Sequence, residues 1–225
     1  MDVARIRQQS LQNAQHFGAA IDQAIVEASA PIVPNEVQDA IDASVAQVQV
    51  DLAAATQGGG GGNGGRRTGD RCDTGAAFYG GNKVYLPRKE HAGACVATGA
   101  FAALTNAHYT APPRPALKFA LPGLTDLPAD NRARGHLIGY AMGGSNKDTR
   151  NFVPMYQTAN RAMYDHAEDH VVQSIEKGGT QFVQVRPVYG NRNSVIPTKV
   201  EFISWGTVDV RCEFDNNAAA TYKCW

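Results

Sequence analysis

A glycine-rich tract at residues 58–65, interrupted only by Asn63, constrains the fold of this chain more than any other feature. Glycine loses more conformational freedom on folding than any other residue, so such a run behaves as a flexible tether. A phosphate-binding glycine loop is excluded, because no Gly-Lys-Ser/Thr follows the tract and no strand precedes it. The sequence therefore predicts a segment at 1–57 and a domain at 67–225, joined by a linker at 58–66.

The segment 1–57 has the apolar spacing of a helical hairpin. Apolar residues recur at helical intervals over 3–28, and Pro31 and Pro34 stop that helix. A second helix is predicted from Asn35 to about residue 56, with an apolar stripe at Val37, Ile41, Val45, Val48 and Leu52. A hairpin of this size buries little apolar surface by itself, so we expect it to dock on the second domain, another copy or a different protein.

The net charge of zero hides an asymmetry. Residues 1–65 carry two basic and seven acidic side chains, so the rest of the chain carries the remaining 19 basic and 14 acidic ones. A basic second part fits a phosphate-bearing partner, and ordinary surface charge is the alternative.

No membrane span is expected, because no run of 18 apolar residues occurs. The N-terminus lacks the apolar segment of a classical signal peptide. Four cysteines without a Cys-x-x-Cys pair argue against a zinc site and permit two disulfides in three pairings. We favour Cys72–Cys95 and Cys212–Cys224, because both close short loops. Disulfides would imply an oxidising destination, reached by a route without a signal peptide, whereas reduced cysteines in a cytosolic protein are the alternative.

The domain at 67–225 has the pattern of an α+β fold. Proline-rich residues 110–130 are predicted to be loop, and 158–177 a helix that ends at Gly178-Gly179. Residues 182–189 and 199–205 alternate in polarity as antiparallel neighbours. Further extended segments are predicted at 83–86, 94–105 and 132–140.

The most informative polar cluster lies between Arg134 and Asn160. Arg134 and His136 would share one face of a strand, because side chains alternate. A histidine with an ordinary pKa near ~6.5 is largely neutral at physiological pH and is able to take a proton from water. The arginine beside it would neutralise phosphate charge. The pair therefore predicts hydrolysis of a phosphodiester, with His136 as the general base.

Two asparagines follow His136 at spacings of 15 and 9 residues. Asn151 ends a glycine-containing loop, where its amide would brace the turn that carries His136. Asn160 offers an amide oxygen to a hard cation such as Mg²⁺, which keeps several waters and needs few protein ligands. On the predicted helix, Asn160, Tyr164 and Glu168 form one stripe, so Glu168 would hold waters of the ion or orient its ligand.

Each of these residues also has a purely structural interpretation. Asn160 is placed to cap a helix, and Glu168 could lie on a solvated helix face. His166 and His170 have metal-binding i, i+4 spacing, but no third ligand is evident. The joint spacing of the residues favours the catalytic interpretation.

Short motifs between about 97 and 205 form a combined pattern. They are Ala-Thr-Gly-Ala at 97–100, Ala-Leu-Thr at 103–105, Ala-Arg-Gly-His-Leu-Ile-Gly at 133–139, Gly-Gly at 143–144, Arg-Asn-Phe-Val-Pro at 150–154 and Tyr-Gln-Thr-Ala-Asn at 156–160. Together they resemble the DNA/RNA non-specific endonuclease family, and in particular the nuclease domains at the C-termini of bacterial polymorphic and secreted toxins. The resemblance covers roughly half of the chain.

This resemblance implies an antiparallel sheet with a ββα-metal core of the His-Asn-Asn type. It implies a mechanism that depends on Mg²⁺, with Mn²⁺ as the alternative ion, and cleavage of DNA and RNA with little sequence preference. By position it makes His136 the general base, Asn160 the direct metal ligand and Glu168 a group that acts through the waters of the ion. Asn151 matches the first asparagine of the family, and Arg134 matches its motif arginine.

The resemblance also implies a secreted toxin or effector whose residues 1–57 would bind an immunity protein or a secretion partner. One departure is Ala133, where secreted nutritional nucleases of the family usually have aspartate; toxin-type members often resemble this sequence there. The same spacing is similar to that of HNH nucleases, with asparagine in place of their last histidine.

Binding without sequence readout would depend on contacts to phosphates. Lys147, Arg150 and Arg161 flank the motif and are the candidates, while Tyr140 and Tyr156 could stack on bases or pack in the core. A catalytically degenerate nucleic-acid-binding module, an extracellular nutritional nuclease and a partner protein dominated by the hairpin are the competing functions.

Overall fold

A computed structural model describes residues 72–73, 76–111, 113 and 115–225. The predicted hairpin at 1–57 and the linker at 58–66 lie outside these residues. No helix in the described part is long and apolar enough to span a membrane.

The described residues form eleven strands. They are β1 (Ala77–Tyr79), β2 (Lys83–Tyr85), β3 (Lys89–His91), β4 (Ala94–Val96), β5 (Ala100–Leu104), β6 (Ala133–His136), β7 (Phe152–Met155), β8 (Gln181–Val188), β9 (Lys199–Gly206), β10 (Val210–Asp215) and β11 (Tyr222–Cys224). Seven of them form the main antiparallel sheet, in the order β1-β2-β5-β8-β9-β10-β11. Two further antiparallel pairs, β3–β4 and β6–β7, lie outside it.

One long helix follows β7. It consists of α1 (Gln157–Met163), a π turn (Tyr164–Glu168) and α2 (Asp169–Glu176). The α1 part contacts both β6 and β10, and α2 contacts β8, so the helix joins the β6–β7 pair to the main sheet. The remaining helical turns are 3₁₀, at Asn106–His108, Leu124–Asp126, Tyr140–Met142 and Thr149–Asn151.

The core forms where the helix covers the sheet. Alternate residues of β5 and β9 are buried, as expected for strands with one face on a core. The cluster of buried apolar side chains includes Leu104, Met163, Ile175, Val183, Val185 and Phe202.

Several sequence predictions are confirmed here. The α+β class is correct, and β8 and β9 are antiparallel neighbours with Phe182 opposite Trp205. Both favoured disulfides are present, Cys72–Cys95 and Cys212–Cys224.

The predicted strand at 132–140 is too long. It ends at His136, because the chain then enters a tight turn in which the Gly144 N–H donates to the Gly139 carbonyl at 3.0 Å. A side chain on Gly144 would collide with the Ile138 carbonyl, so the turn requires glycine there.

Candidate active site

His136 is the last residue of β6, opposite Phe152 on β7. The side chain is 4% exposed, and its ring centroid lies 4.4 Å from that of Phe152. Antiparallel pairing thus fixes the backbone of the histidine, and an aromatic neighbour restricts the rotation of its ring.

Asn146 is a site residue that sequence reasoning missed. Its Oδ1 lies 2.7 Å from Nε2 of His136, although it is ten residues further along the chain. The signal in the sequence was an asparagine directly after Gly143-Gly144-Ser145, but its position relative to His136 depends on how the intervening loop folds.

Asn151 braces the loop that links β6 to β7, residues 137–151, which we call the site loop. Its side chain is fully buried. Oδ1 accepts from the Ile138 N–H at 2.8 Å, and Nδ2 donates to the carbonyls of Ile138 and Ser145, each at 3.0 Å. These bonds hold both ends of the turn.

Tyr85 is a second contact that the sequence did not indicate. Its hydroxyl, carried from the main sheet, accepts a hydrogen bond from the Ser145 N–H at 2.8 Å. Burial raises the pKa of this phenol above its ordinary value, so it stays protonated. The Oγ of Ser145 in turn accepts from the N–H groups of Lys147 and Asp148, so the site loop is fixed on several sides.

Lys83 lies beneath the same loop and is 3% exposed. Its Nζ donates to Asn82 Oδ1 at 2.9 Å, and a Cβ on Gly143 would lie 3.2 Å from this nitrogen. Burial lowers the pKa of Lys83 to about 8. Burial and the charge of Lys83 both lower the pKa of His108.

The π turn determines how Asn160 and Glu168 are related. In a regular α-helix, residues eight apart differ by about 80° around the axis. Here the Asp169 N–H donates to the Tyr164 carbonyl five residues back, so one turn takes up an extra residue. The eight residue steps from Asn160 to Glu168 then turn about the axis as far as about seven steps of a regular helix. The two side chains therefore differ in direction by only about 20°.

The members of the predicted stripe differ in burial. Glu168 is 9% exposed, whereas Tyr164 is 38% exposed. The carboxylate of Glu168 reaches the site loop, because a Cβ on Gly139 would lie 2.7 Å from Glu168 Oε2. Glycine at 139 is what allows this approach, three residues after His136.

Arg134 lies on β6 with His136, and its guanidinium is partly buried. Its Nε donates to the Phe119 carbonyl at 2.8 Å, and the guanidinium lies 5.6 Å from the Phe119 ring centroid. The Phe119 ring contacts Phe152, which contacts His136. The arginine and the histidine thus border one aromatic pair, which agrees with their expected placement on the same face.

The three side chains predicted to contact phosphates differ in the ion pairs that they make. Arg150 makes a bidentate ion pair with Asp148, at 2.9 and 2.8 Å. Arg161 pairs with Asp165 at 2.8 Å one helical turn away. Lys147 is exposed and makes no ion pair with any described residue, so it is the cation most available to a phosphate.

The candidate ligands Asn160 and Glu168 carry oxygen donors. The described residues contain no group of three or more His, Cys, Asp or Glu side chains arranged to hold a metal. His166 stacks on Tyr222 with ring centroids 4.1 Å apart, so it has a packing role. One amide oxygen from Asn160 and one carboxylate from Glu168 suit an ion such as Mg²⁺, which keeps most of its waters.

Comparison with known proteins finds one family whose profile matches the chain. Residues 97–205 match the sequence profile described as DNA/RNA non-specific endonuclease. This part of the chain belongs to that family. Membership supports a hydrolase that acts on nucleic acid, and the matched range contains all the site residues predicted from the sequence.

Solved nucleases are similar to parts of the chain. NucA from Streptococcus agalactiae, reported with a magnesium ion bound, is 16% identical over 55% of this chain and 67% of its own, with a TM-score of 0.49. Sda1 nuclease, reported with a zinc ion, is 16% identical over 61% of this chain and 76% of its own, with a TM-score of 0.45. An extracellular endonuclease is 20% identical over 58% and 62%, with a TM-score of 0.36. No curated protein matches the chain.

Proposed function

We propose that this member of the endonuclease family is a metal-dependent enzyme that hydrolyses phosphodiester bonds in DNA and RNA with little sequence preference. The observation that carries the proposal is the approach of the Glu168 carboxylate to the turn that begins directly after His136. The carboxylate approaches Gly139, and His136 lies only three residues earlier.

In this proposal His136 is the general base that takes a proton from the attacking water. Imidazole is the side chain that most often transfers protons as a general base or acid in enzymes. Arg134 neutralises charge on the scissile phosphate. Of its nitrogens, only Nε donates to a described residue, which leaves the terminal nitrogens of the guanidinium for a phosphate.

Asn160 and Glu168 would hold the cation, with Asn160 as a direct ligand and Glu168 acting through its waters. Mg²⁺ is the proposed ion and Mn²⁺ the alternative. When bound, such an ion supplies a positive charge that stabilises the negative charge of the transition state and of the leaving oxygen. Asn151 contributes by holding the site loop rather than by touching the substrate.

Substrate binding is proposed to depend on phosphate contacts rather than on base edges. Lys147 is the first candidate, and Arg150 and Arg161 would have to share their guanidinium groups between a phosphate and a neighbouring aspartate. The ion pair of Arg161 with Asp165 is highly exposed, so replacing the aspartate by a phosphate costs little free energy.

We further propose a secreted bacterial toxin or effector. Two disulfides fit an oxidising destination. The domain organisation remains as proposed from the sequence, with a hairpin at 1–57, a linker at 58–66 and the nuclease domain at 67–225. The hairpin would bind an immunity protein or a secretion partner. An extracellular nutritional nuclease is the alternative role for the same activity.

A second candidate is a nucleic-acid-binding module that has lost catalysis. Ala133, beside the motif arginine, favours it, because nutritional members of the family usually have aspartate there. Ala133 lies opposite Met155 at the start of the β6–β7 pair.

A cleavage assay separates these candidates. Supercoiled plasmid and a structureless RNA are each incubated with the full chain in Mg²⁺, in EDTA, and in EDTA followed by excess Mg²⁺. The proposal predicts cleavage of both substrates, its loss in EDTA and its return with Mg²⁺. Binding without cleavage would support the degenerate module and overturn the nuclease.

A further inference from the structure

Asn146 holds an unusual pair of atoms beside the proposed base. Its Oδ1 lies 2.7 Å from His136 Nε2, while its Nδ2 is buried without a hydrogen-bond partner among the described residues. We propose that Asn146 is a positioning residue that fixes His136 in the tautomer with the proton on Nε2. The effect of this tautomer on catalysis rests on the proposed function, whereas the assignment of the tautomer does not.

The contact has the length of a firm hydrogen bond. At 2.7 Å it is at the short end of the range for N–H···O bonds. A carbonyl oxygen accepts only, so its partner nitrogen on the ring must carry a proton. In neutral imidazole the other nitrogen, Nδ1, then carries the lone pair and is the basic atom.

The position of Asn146 is set by its neighbours in the site loop. The N–H of Ser145 donates to Tyr85, and the Ser145 carbonyl accepts from Asn151. On the other side, the Lys147 N–H donates to the Ser145 hydroxyl. Asn146 therefore projects from a backbone that is fixed before and after it, which allows its amide to hold the imidazole in place.

Packing does not account for an asparagine at this place. Leaving the Nδ2 donor buried without a partner lowers stability, and a residue chosen for the fold alone would avoid that loss. Phe152 restrains the imidazole plane whichever nitrogen is protonated, so its contact with His136 does not select a tautomer. The amide is thus a group that treats the two ring nitrogens differently, because it lies against Nε2.

The first test is spectroscopic and needs no cleavage. The full chain is labelled with ¹⁵N-histidine, and two-bond proton–nitrogen correlations are recorded at a pH where His136 is neutral. His136→Gln assigns its signals among the six histidines. We expect the Nε2–H tautomer in the wild type and in Asn146→Asp, which keeps an acceptor oxygen, and a mixture of tautomers in Asn146→Ala.

The second test is kinetic. Asn146→Ala should lower kcat about 10-fold to 100-fold, the usual effect of removing a group that orients a catalytic side chain, with KM nearly unchanged. Asn193→Ala removes an amide from an exposed loop that does not contact His136, and it should match the wild type. Circular dichroism of both variants checks that the fold is retained.

Different results would overturn the inference about Asn146 and the proposed function. An Nδ1–H tautomer in the wild type, or the same tautomer in wild type and Asn146→Ala, would overturn the inference even if the chain cleaves DNA. Absence of cleavage by the wild type would overturn the proposed function, and the tautomer of His136 would still decide the role of Asn146.

Discussion

The side-chain amide of Asn151 pairs with both backbone groups of Ile138, accepting from its N–H at 2.8 Å and donating to its carbonyl at 3.0 Å. Thirteen residues separate the two along the chain. This pairing mimics one rung of a sheet at the point where the β6–β7 pair ends, and it sets the path of the site loop that follows His136.

Asn151→Ala should therefore destabilise the protein. The change leaves the Ile138 N–H and two carbonyls buried without partners, so we expect a loss of about 3 kcal/mol in the free energy of unfolding. Urea denaturation measures it, with Asn193→Ala as the exposed control. A loss below about 1 kcal/mol would show that the amide does not hold the loop.

Asn160→Ala should behave in the opposite way. Asn160 is partly exposed and its amide bonds to no described residue, so the free energy of unfolding should change by less than about 0.5 kcal/mol. Cleavage should fall by at least about 100-fold, and calorimetric titration should show weaker Mg²⁺ binding. Full activity with unchanged Mg²⁺ affinity would remove Asn160 from the metal site.

The Cys72–Cys95 disulfide should affect the site through Asp73. The carboxylate of Asp73 accepts from Arg88, whose Nη1 donates to Thr149 Oγ1 in the site loop at 2.9 Å. Replacing both cysteines by serine should lower the free energy of unfolding by about 2–4 kcal/mol. It should also lower the cleavage rate at temperatures well below the melting temperature of the variant.

The matched control for this disulfide is the Cys212–Cys224 pair, which joins β10 to β11. Its double serine variant should lose stability and keep the kcat of the wild type. Equal cleavage rates for the two double variants at 25 °C would argue against a connection between Asp73 and the site loop.

Lys83 should make stability depend on pH. Its pKa is lowered to about 8 by burial, so between about pH 8 and its ordinary value near 10.5 the unfolded chain binds this proton and the folded chain does not. Stability should therefore rise with pH across that window, and below pH 8 the cost of burying the charge is constant.

Lys83→Met tests this assignment by removing the buried charge. It should raise the free energy of unfolding at pH 7 by about 1–3 kcal/mol and abolish the rise above pH 8. Lys89→Met, at an exposed position of β3, is the control for loss of one positive charge. A less stable Lys83→Met variant at pH 7, with the rise retained, would contradict the account.

The local parts of this structure could be predicted from the sequence. Strand alternation identified β8 and β9, because each has one face on the core. The cysteine pairs followed from their short loops, and the brace formed by Asn151 followed from its place at the end of a glycine turn. In each case the determining interactions are close in sequence or repeat along it.

The remainder depends on non-local geometry. Asn146 reaches His136 only because Tyr85, from another sheet, fixes the intervening backbone. The π turn that aligns Asn160 with Glu168 has no periodic signal, since an extra residue in one turn looks like ordinary drift of a helical pattern. The ion pair between Arg150 and Asp148 was also not predicted, because a count of charges does not show which charged side chains lie close together.

The most direct test of the central claim compares wild type with His136→Ala in single-turnover cleavage of plasmid DNA in Mg²⁺. DNA affinity is measured separately in Ca²⁺, and His170→Ala, an exposed helix position, serves as the control. The account predicts that His136→Ala loses at least about 100-fold in rate while keeping the fold and the DNA affinity of the wild type. Cleavage by His136→Ala at the wild-type rate would contradict it.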